Sequence, residues 1–427
     1  MNSYFNLSDF ITSFSFASKA VNDSLAGHNL RVAYLSYLIG EAITFDNRFL
    51  YDLLLSGLLH DIGLFYDKQG YMFVEEHFPS LRSETRKLVQ IHAEIGYEIL
   101  RGYPYLSKIA KVVRYHHSPY FQALKEKVLL ESQIVYFADR IDVYLKDALC
   151  SPSELLKKRE SLPEFIEAAA EKALNPKVAE IFLKKVYPKD SFWFTYSDQE
   201  YLQREISFLM ENFSQKIPIE YSRDLSQIFA YLIDFKSPFT ASHSSTVAVV
   251  AKEIAREMGY SEEGVEKMEI AGLLHDIGKV KVPDEILNKP GKLTREEFFI
   301  MKSHVFYTYQ ILKEMRVDEE VLSWASLHHE KLNGRGYPFG LTKERIPLGS
   351  RIMTVADIYT ALTEERPYKK ALKPREAVNL LRELVSKGEV DGFVLSALEK
   401  CLDRIERERS LVVEEAKETY SKFLGKV

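Results

Sequence analysis

Ten of the eleven histidines in this 427-residue chain fall into two matching registers. The second half carries His243, His275-Asp276, His304, His328-His329 and then Asp357. The first half carries His28, His60-Asp61, His92, His116-His117 and then Asp139. In both halves the first His precedes the His-Asp pair by 32 residues, and the third His precedes the His-His pair by 24. The middle gaps are 32 and 29 residues, and the last gaps are 22 and 28. Neutral imidazole and carboxylate are ligands for divalent first-row metals such as iron, manganese or zinc. Neighbouring residues on a helix point about 100° apart, so a His-Asp or His-His pair reaches two adjacent ions. A centre of two ions acidifies a bound water and clamps an in-line displacement at phosphorus. A single buried His is more often an ordinary core residue, but ten landing in two registers by accident is not credible. Metal binding is therefore expected in both halves.

Local text supports two copies of one unit: SGLLHDIG matches AGLLHDIG, HAEIGYEIL matches HVFYTYQIL, and FADRIDVYL matches VADIYTALT. The surrounding periodicity is helical. After His243, Val247, Val250, Ala251, Ile254 and Met258 form one stripe, and after His28, Val32, Leu35, Leu38 and Ile39 repeat it. Gly259 is expected to stop the helix that His243 begins, and Ser261, followed by Glu262 and Glu263, to cap the next. The fold class is all-α: two helical bundles in tandem, over 1–150 and 236–427, joined by a helical connector over 151–235. SPSELLKKRE and NPKVAEIFLKK in that connector resemble capped helices, and the tail from Pro374 is expected to pack on the second bundle.

Composition narrows the class. Hydrophobic residues make up 46% and charged residues 28%, which excludes a largely disordered chain. A formal charge of −5 with no polybasic run points away from polymeric nucleic acid. Two cysteines, Cys150 and Cys401, allow neither a disulfide framework nor a cysteine zinc site. No signal peptide or 18-residue apolar run is read, so the expected location is the cytoplasm, without a membrane anchor.

HDIGK at His275 to Lys279 and HHEKLNGRGYP at His328 to Pro338 resemble the HD-GYP subfamily of HD-domain phosphohydrolases. The likeness runs from about Ser237 through LNKPGKLT, SRIMTVADIYTALT and ERPYKKAL, and the first half resembles a divergent HD copy of the tandem form. The resemblance implies hydrolysis of cyclic di-GMP to the linear dinucleotide and then GMP, by a metal-bridging hydroxide at a dinuclear centre of iron, with manganese as the alternative. It implies that His243, His275, Asp276 and Asp357 hold one ion. Asp276 bridges to a second, completed by His304, His328 and His329. Lys279 would contact the scissile phosphate, Gly336 and Tyr337 would line the substrate loop, and Arg366 and Lys369 would hold phosphate or guanine. Some family members hold a third ion with a Glu four residues before the first His and an Asp three after the last Asp. Phe239 and Thr360 stand there in this chain, so two ions are expected.

The first half keeps His28, His60, Asp61, His92, His116, His117 and Asp139 but departs around them. Leu64 stands where the second half has Lys279, Ala148 where it has Arg366, and no GYP segment follows His117. The expectation is a metal-binding domain that does not turn over cyclic dinucleotide and is regulatory or structural. Cyclic GMP-AMP is the alternative substrate within the fold. A non-catalytic scaffold that docks cyclase domains, or a metal sensor, is the alternative of another class. A homodimer is left open.

Overall fold

The structure, a computed structural model, describes residues 5–6, 23–65, 83–170, 172–213, 216–217, 219–234, 242–365 and 370–424. The chain divides into two compact units, one built from Phe14–Gln215 and the other from Lys216–Gly425 with Met1–Ser13. Among the described residues both are helical, and the only paired strands are Phe5–Asn6 against Lys216–Ile217, antiparallel. No helix among the described residues is long and apolar enough to cross a membrane.

In the first unit the helices are α1 (Asp23–Ile43), α2 (Asn47–Leu59), α3 (Ser83–Arg101), α4 (Ser107–Arg114), α5 (Tyr120–Glu126) and α6 (Leu130–Leu145). They continue as α7 (Pro152–Ala169), α8 (Pro176–Ile181), α9 (Asp190–Ser197) and α10 (Gln199–Asn212). Ser151 and Asn175 cap α7 and α8 through their side chains, as the local sequence suggests. The stretch expected to be a connector is divided: α7 to α10 lie within the first unit, and only residues after Gln215 belong to the second. The reason is packing. Phe182, Phe192 and Tyr196 are fully buried, and the Tyr34 ring stacks on Phe192 from α1 at 6.5 Å.

The second unit has α11 (Ile219–Asp234), α12 (His243–Glu257), α13 (Glu262–Leu274), α14 (Arg295–Glu314), α15 (Glu319–Ser326), α16 (Leu348–Thr363), α17 (Pro374–Ser386), α18 (Gly392–Lys400) and α19 (Leu402–Leu424). Gly259 ends α12 with φ +80, and the Ser261 hydroxyl accepts the Gly264 amide at the start of α13. Val247, Val250, Ala251 and Ile254 are buried, and Met258 at the helix end is half-buried. The charged tail packs on this bundle, with Arg404 of α19 paired to the buried Glu253 of α12.

The repeat reappears in the backbone contacts. A Cβ on Gly272 of α13 would lie 2.4 Å from Ala248 Cα, and one on Gly57 of α2 would lie 2.4 Å from Ala33 Cα. Each glycine lets the helix ending in His-Asp lie directly on the helix that carries the first His.

Candidate metal centre

In the second domain His243 opens α12, and His275-Asp276 follow the last turn of α13. His304 sits in α14, His328-His329 follow α15, and Asp357 lies in α16. Five separate segments thus converge. One cluster groups His243, His275 and Asp276, and another groups His304, His328 and His329, the ligand atoms of each within 4.8 Å of one another. The Asp276 carboxylate stands between them. Its Oδ2 lies 3.2 Å from His275 Nε2 and 3.7 Å from His243 Nε2, while Oδ1 lies 3.4 Å from His304 Nε2. Asp357 reaches both sides too, with Oδ1 3.4 Å from His243 Nε2 and Oδ2 3.9 Å from His329 Nδ1.

Backbone carbonyls set the imidazole tautomers. Nδ1–H of His275, His304 and His328 donates to the carbonyl three residues earlier, Gly272, Met301 and Ala325, at 2.6–2.7 Å. That leaves the Nε2 lone pair of each ring aimed inward, and all three Nε2 atoms are buried with no hydrogen-bond partner. Buried lone pairs gathered without a donor are costly, and a divalent cation satisfies them together. The donor set therefore fits bound divalent metal. Burial pushes His304, His328 and His329 down to about 3, so these rings are neutral lone-pair donors near pH 7. His243 moves up to about 10: burial opposes its charge, but Glu364 and Asp357 outweigh it. Burial likewise opposes charge on Asp276, yet His275 and Lys279 hold it well below the usual carboxylate range.

The predicted substrate residues are placed in part. The Lys279 ammonium pairs with Asp276 in the turn that follows α13. Gly336 passes so close to its own loop that a Cβ would lie 2.3 Å from Lys331 N and 2.5 Å from Glu330 Cα. The Tyr337 ring lies 4.9 Å from that of His329, the most exposed of the second-domain ligand histidines. Arg366, Lys369 and Phe239 lie outside the described residues. Thr360, fully buried in α16, offers no carboxylate.

The first domain builds the same constellation. Asp61 Oδ2 lies 3.5 Å from His28 Nε2 and 3.2 Å from His60 Nε2, and Oδ1 lies 3.2 Å from His92 Nε2 and 3.7 Å from His116 Nε2. Asp139 faces His28 at 3.5 Å and His117 at 3.8 Å. Its two groups are His28, His60 and Asp139, and Asp61, His92, His116 and His117. Ring nitrogens are drawn to 3.0–3.3 Å of one another across His28–His60, His92–His116 and His92–His117. Burial lowers His116 to about 4 and His117 well below its ordinary value. The surroundings differ: Leu64 and Ala148 are buried apolar residues, and the Arg140 guanidinium pairs with Asp139.

Sequence reasoning missed the residues that orient the ligands. Glu364, just past α16, accepts from His243 Nδ1 at 3.1 Å. In the first domain Asp142 does this for His28 at 2.7 Å, and Arg31 and the buried Tyr196 of α9 both donate to it. Asp142 sits three residues after Asp139, the position Thr360 takes in the second repeat, so aligning the repeats would have exposed it. Glu330 was missed as well. It is buried, and its two oxygens accept the backbone amides of Phe339 (2.7 Å), Gly340 (3.1 Å) and Leu341 (2.9 Å), tying down the loop that carries Tyr337. An amide side chain cannot accept all three, and hydrogen bonds to a charged acceptor contribute about 1.5–3 kcal/mol each. Glu330→Gln is expected to speed amide exchange across 333–341 and raise KM for substrate about tenfold with metal content unchanged. Unaltered exchange in that loop would contradict the anchoring role.

Comparison with known proteins agrees with this architecture. The HD domain family matches twice, over residues 25–144 and 227–394. The 3′3′-cGAMP-specific phosphodiesterase 1 of Vibrio cholerae serotype O1 is 30% identical over 397 residues, 89% of this chain and 88% of that protein. The chain belongs to the HD-GYP family. Other relatives match over a shorter stretch of the chain. The cyclic di-GMP phosphodiesterase PA4108 of Pseudomonas aeruginosa is 41% identical over 165 residues, covering 38% of this chain and 39% of that protein. The crystal structure of a cyclic GMP-AMP specific phosphodiesterase of V. cholerae shares the fold across 94% of this chain and 98% of its own, with TM-score 0.61 and 24% identity. The fold is thus two HD domains in tandem, and the chain is a metal-dependent phosphohydrolase.

Proposed function

We propose that the second domain hydrolyses a 3′,3′-cyclic dinucleotide at the centre around Asp276, first to the linear dinucleotide and then to mononucleotides. The observation that carries this reading is the Asp276 carboxylate, which turns one oxygen to each of two histidine clusters with Lys279 beside it. His243, His275, Asp276 and Asp357 would hold one divalent ion, and Asp276, His304, His328 and His329 the other, iron or manganese suiting the mixed imidazole–carboxylate donors. Such ions, when bound, supply Lewis-acid polarisation of the phosphoryl oxygens and acidification of water. The chain's own residues do the rest. The carbonyls of Gly272, Met301 and Ala325 keep three imidazole lone pairs pointed at the centre. Lys279 places a positive charge where the phosphorane builds up negative charge. Tyr337, on a loop that Glu330 holds, forms a wall beside His329. Arg366 and Lys369 are assigned to the phosphates or a guanine on the strength of the sequence motif.

The motif resemblance favours cyclic di-GMP. A specific observation favours 3′,3′-cyclic GMP-AMP as well: the relative aligned through both domains carries that specificity. The first domain, with Leu64 and Ala148 in place of the phosphate-handling residues, holds metal without turning over substrate and acts in structure or regulation. The deciding experiment is turnover of both dinucleotides by the full-length protein, purified without oxygen and loaded with iron or manganese. Hydrolysis of at least one is expected, and the ratio of kcat/KM values ranks the two. No hydrolysis of either by metal-loaded protein would replace this reading with a scaffold or metal sensor, including one that docks cyclase domains as a homodimer or monomer.

A further inference from the structure

Helix α14 presents an unusual face beside the candidate centre. Phe298 is 48% exposed and Phe299 72% exposed, on neighbouring positions near the helix start. Lys302, one turn further, places its ammonium 5.5 Å from the Phe298 ring centre, 5.9 Å from that of Phe299 and 5.8 Å from that of Tyr337. The Phe298 and Tyr337 rings meet edge-on at 6.4 Å, and Tyr337 in turn lies against His329. An aromatic strip with one cation at its middle thus runs outward from the candidate metal centre without a break. Among the described residues no carboxylate forms an ion pair with Lys302; its recorded neighbours are ring faces.

Phe299 has most of its surface in water and Phe298 nearly half, so neither ring is accounted for by packing alone. Aromatic faces beside an uncompensated cation suit a ligand that is itself a flat π-system carrying an anion. Stacked bases with an adjacent phosphate have that chemistry, and stacking on an aromatic side chain tolerates any base. We propose that Phe298, Phe299, Lys302 and Tyr337 form the subsite for one purine of the cyclic dinucleotide and for the phosphate that is not being cleaved. This rests on the reading of the second domain as a cyclic dinucleotide phosphodiesterase and adds the residues that hold the half of the substrate away from the metals. Because the subsite stacks a base face and does not read its edge, it accepts guanine and adenine alike. Discrimination between the two dinucleotides lies elsewhere.

Binding tests this separately from turnover. The probe is the bis-phosphorothioate analogue of cyclic di-GMP, titrated calorimetrically into metal-loaded full-length protein, with the cyclic GMP-AMP analogue alongside. Phe298→Ala and Lys302→Ala are each expected to raise Kd about tenfold for both analogues, equivalent to about 1.4 kcal/mol. Lys302→Arg should restore Kd to within about threefold, because Arg keeps the charge and also stacks on rings. Metal content and thermal unfolding of the variants should match the wild type. Kd values within twofold of wild type in both alanine variants overturn the subsite, as does a wild type that binds neither analogue. An effect on self-association in place of Kd would reassign the strip to contacts between copies of the chain. Loss of the phosphodiesterase reading looks different: wild-type protein would bind the analogues and leave the natural dinucleotides intact.

Discussion

Asp276→Asn is expected to lower turnover of the preferred cyclic dinucleotide by about 10³-fold or more, a barrier increase of about 4 kcal/mol. Asparagine keeps the shape of the side chain but loses the charge and one of the two acceptor oxygens. Asp276 is the residue whose two oxygens face different histidine clusters, so the change removes the oxygen that serves one proposed ion, leaves only a neutral amide oxygen for the other and abolishes the bridge. It also strips Lys279 of its carboxylate partner. Metal analysis of the same protein should show a loss, with the remainder held by the first domain. Asp61→Asn makes the corresponding change there, between His60 and His92. That variant should lose metal too, yet keep turnover within about threefold, because the buried Leu64 supplies no charge for a phosphate. The pair of variants separates the two centres. Full activity in Asp276→Asn would refute the assignment of chemistry to the second domain, and activity abolished in Asp61→Asn with the second-domain metal intact would show that turnover depends on the first-domain centre.

Gly278→Ala should be nearly as damaging, through geometry alone. A Cβ at Gly278 would lie 1.9 Å from the His304 carbonyl oxygen and 2.5 Å from Thr308 N. Carbon and backbone oxygen do not approach within 3.0 Å, so the turn and α14 must separate by more than 1 Å. Helix α14 is also held there by Thr308, whose hydroxyl donates to the His275 carbonyl and accepts the Gly278 amide. His304 would move with its helix. A misplacement of about 1 Å can cost about 10²-fold in rate. Overpacking of this kind typically costs about 1–3 kcal/mol in stability, and a clash with backbone belongs at the upper end. The matched control is Gly63→Ala, which sets the same 1.9 Å contact against the His92 carbonyl in the first domain. Comparable destabilisation with little change in turnover is expected there. Steady-state kinetics and thermal unfolding of the two variants, side by side, check both halves of the prediction. Normal kinetics and metal content in Gly278→Ala would show that His304 does not need its present placement.

These glycines illustrate how the chain encodes its sites. The ligand types, their order and their division into two copies are visible in the sequence because metal chemistry demands particular residues and helical geometry demands particular spacings. The same applies to local signals. Gly259 ends α12 and Ser261 starts α13 for reasons contained within a few residues, a left-handed backbone and a side-chain cap. Loop glycines in the GYP segment belong to this class as well, since the close approach of Gly336 to Glu330 and Lys331 spans only six residues.

What only the tertiary structure decided has a common cause: the partners are far apart in sequence or lie on different helices, where periodicity reports which face is buried but not what it meets. His28 and Asp142 are 114 residues apart, His243 and Glu364 are 121, and Tyr196 reaches Asp142 across 54. Glu364 stands outside the ligand register, and Asp142, three residues after Asp139, faces only Thr360 in the second repeat, so the sequence read alone assigned neither an orienting role. The end of the first domain was hidden for the same reason. Residues 151–212 carry ordinary capped, amphipathic helices, which a linker and a domain can share. They belong to the first unit because Phe182, Phe192 and Tyr196 are buried in it and because Asp142, which orients His28, is hydrogen-bonded from one of them. Sequence thus picked out the side chains proposed to hold metal and the domain proposed to carry the chemistry, while long-range packing decided which carboxylates orient those side chains.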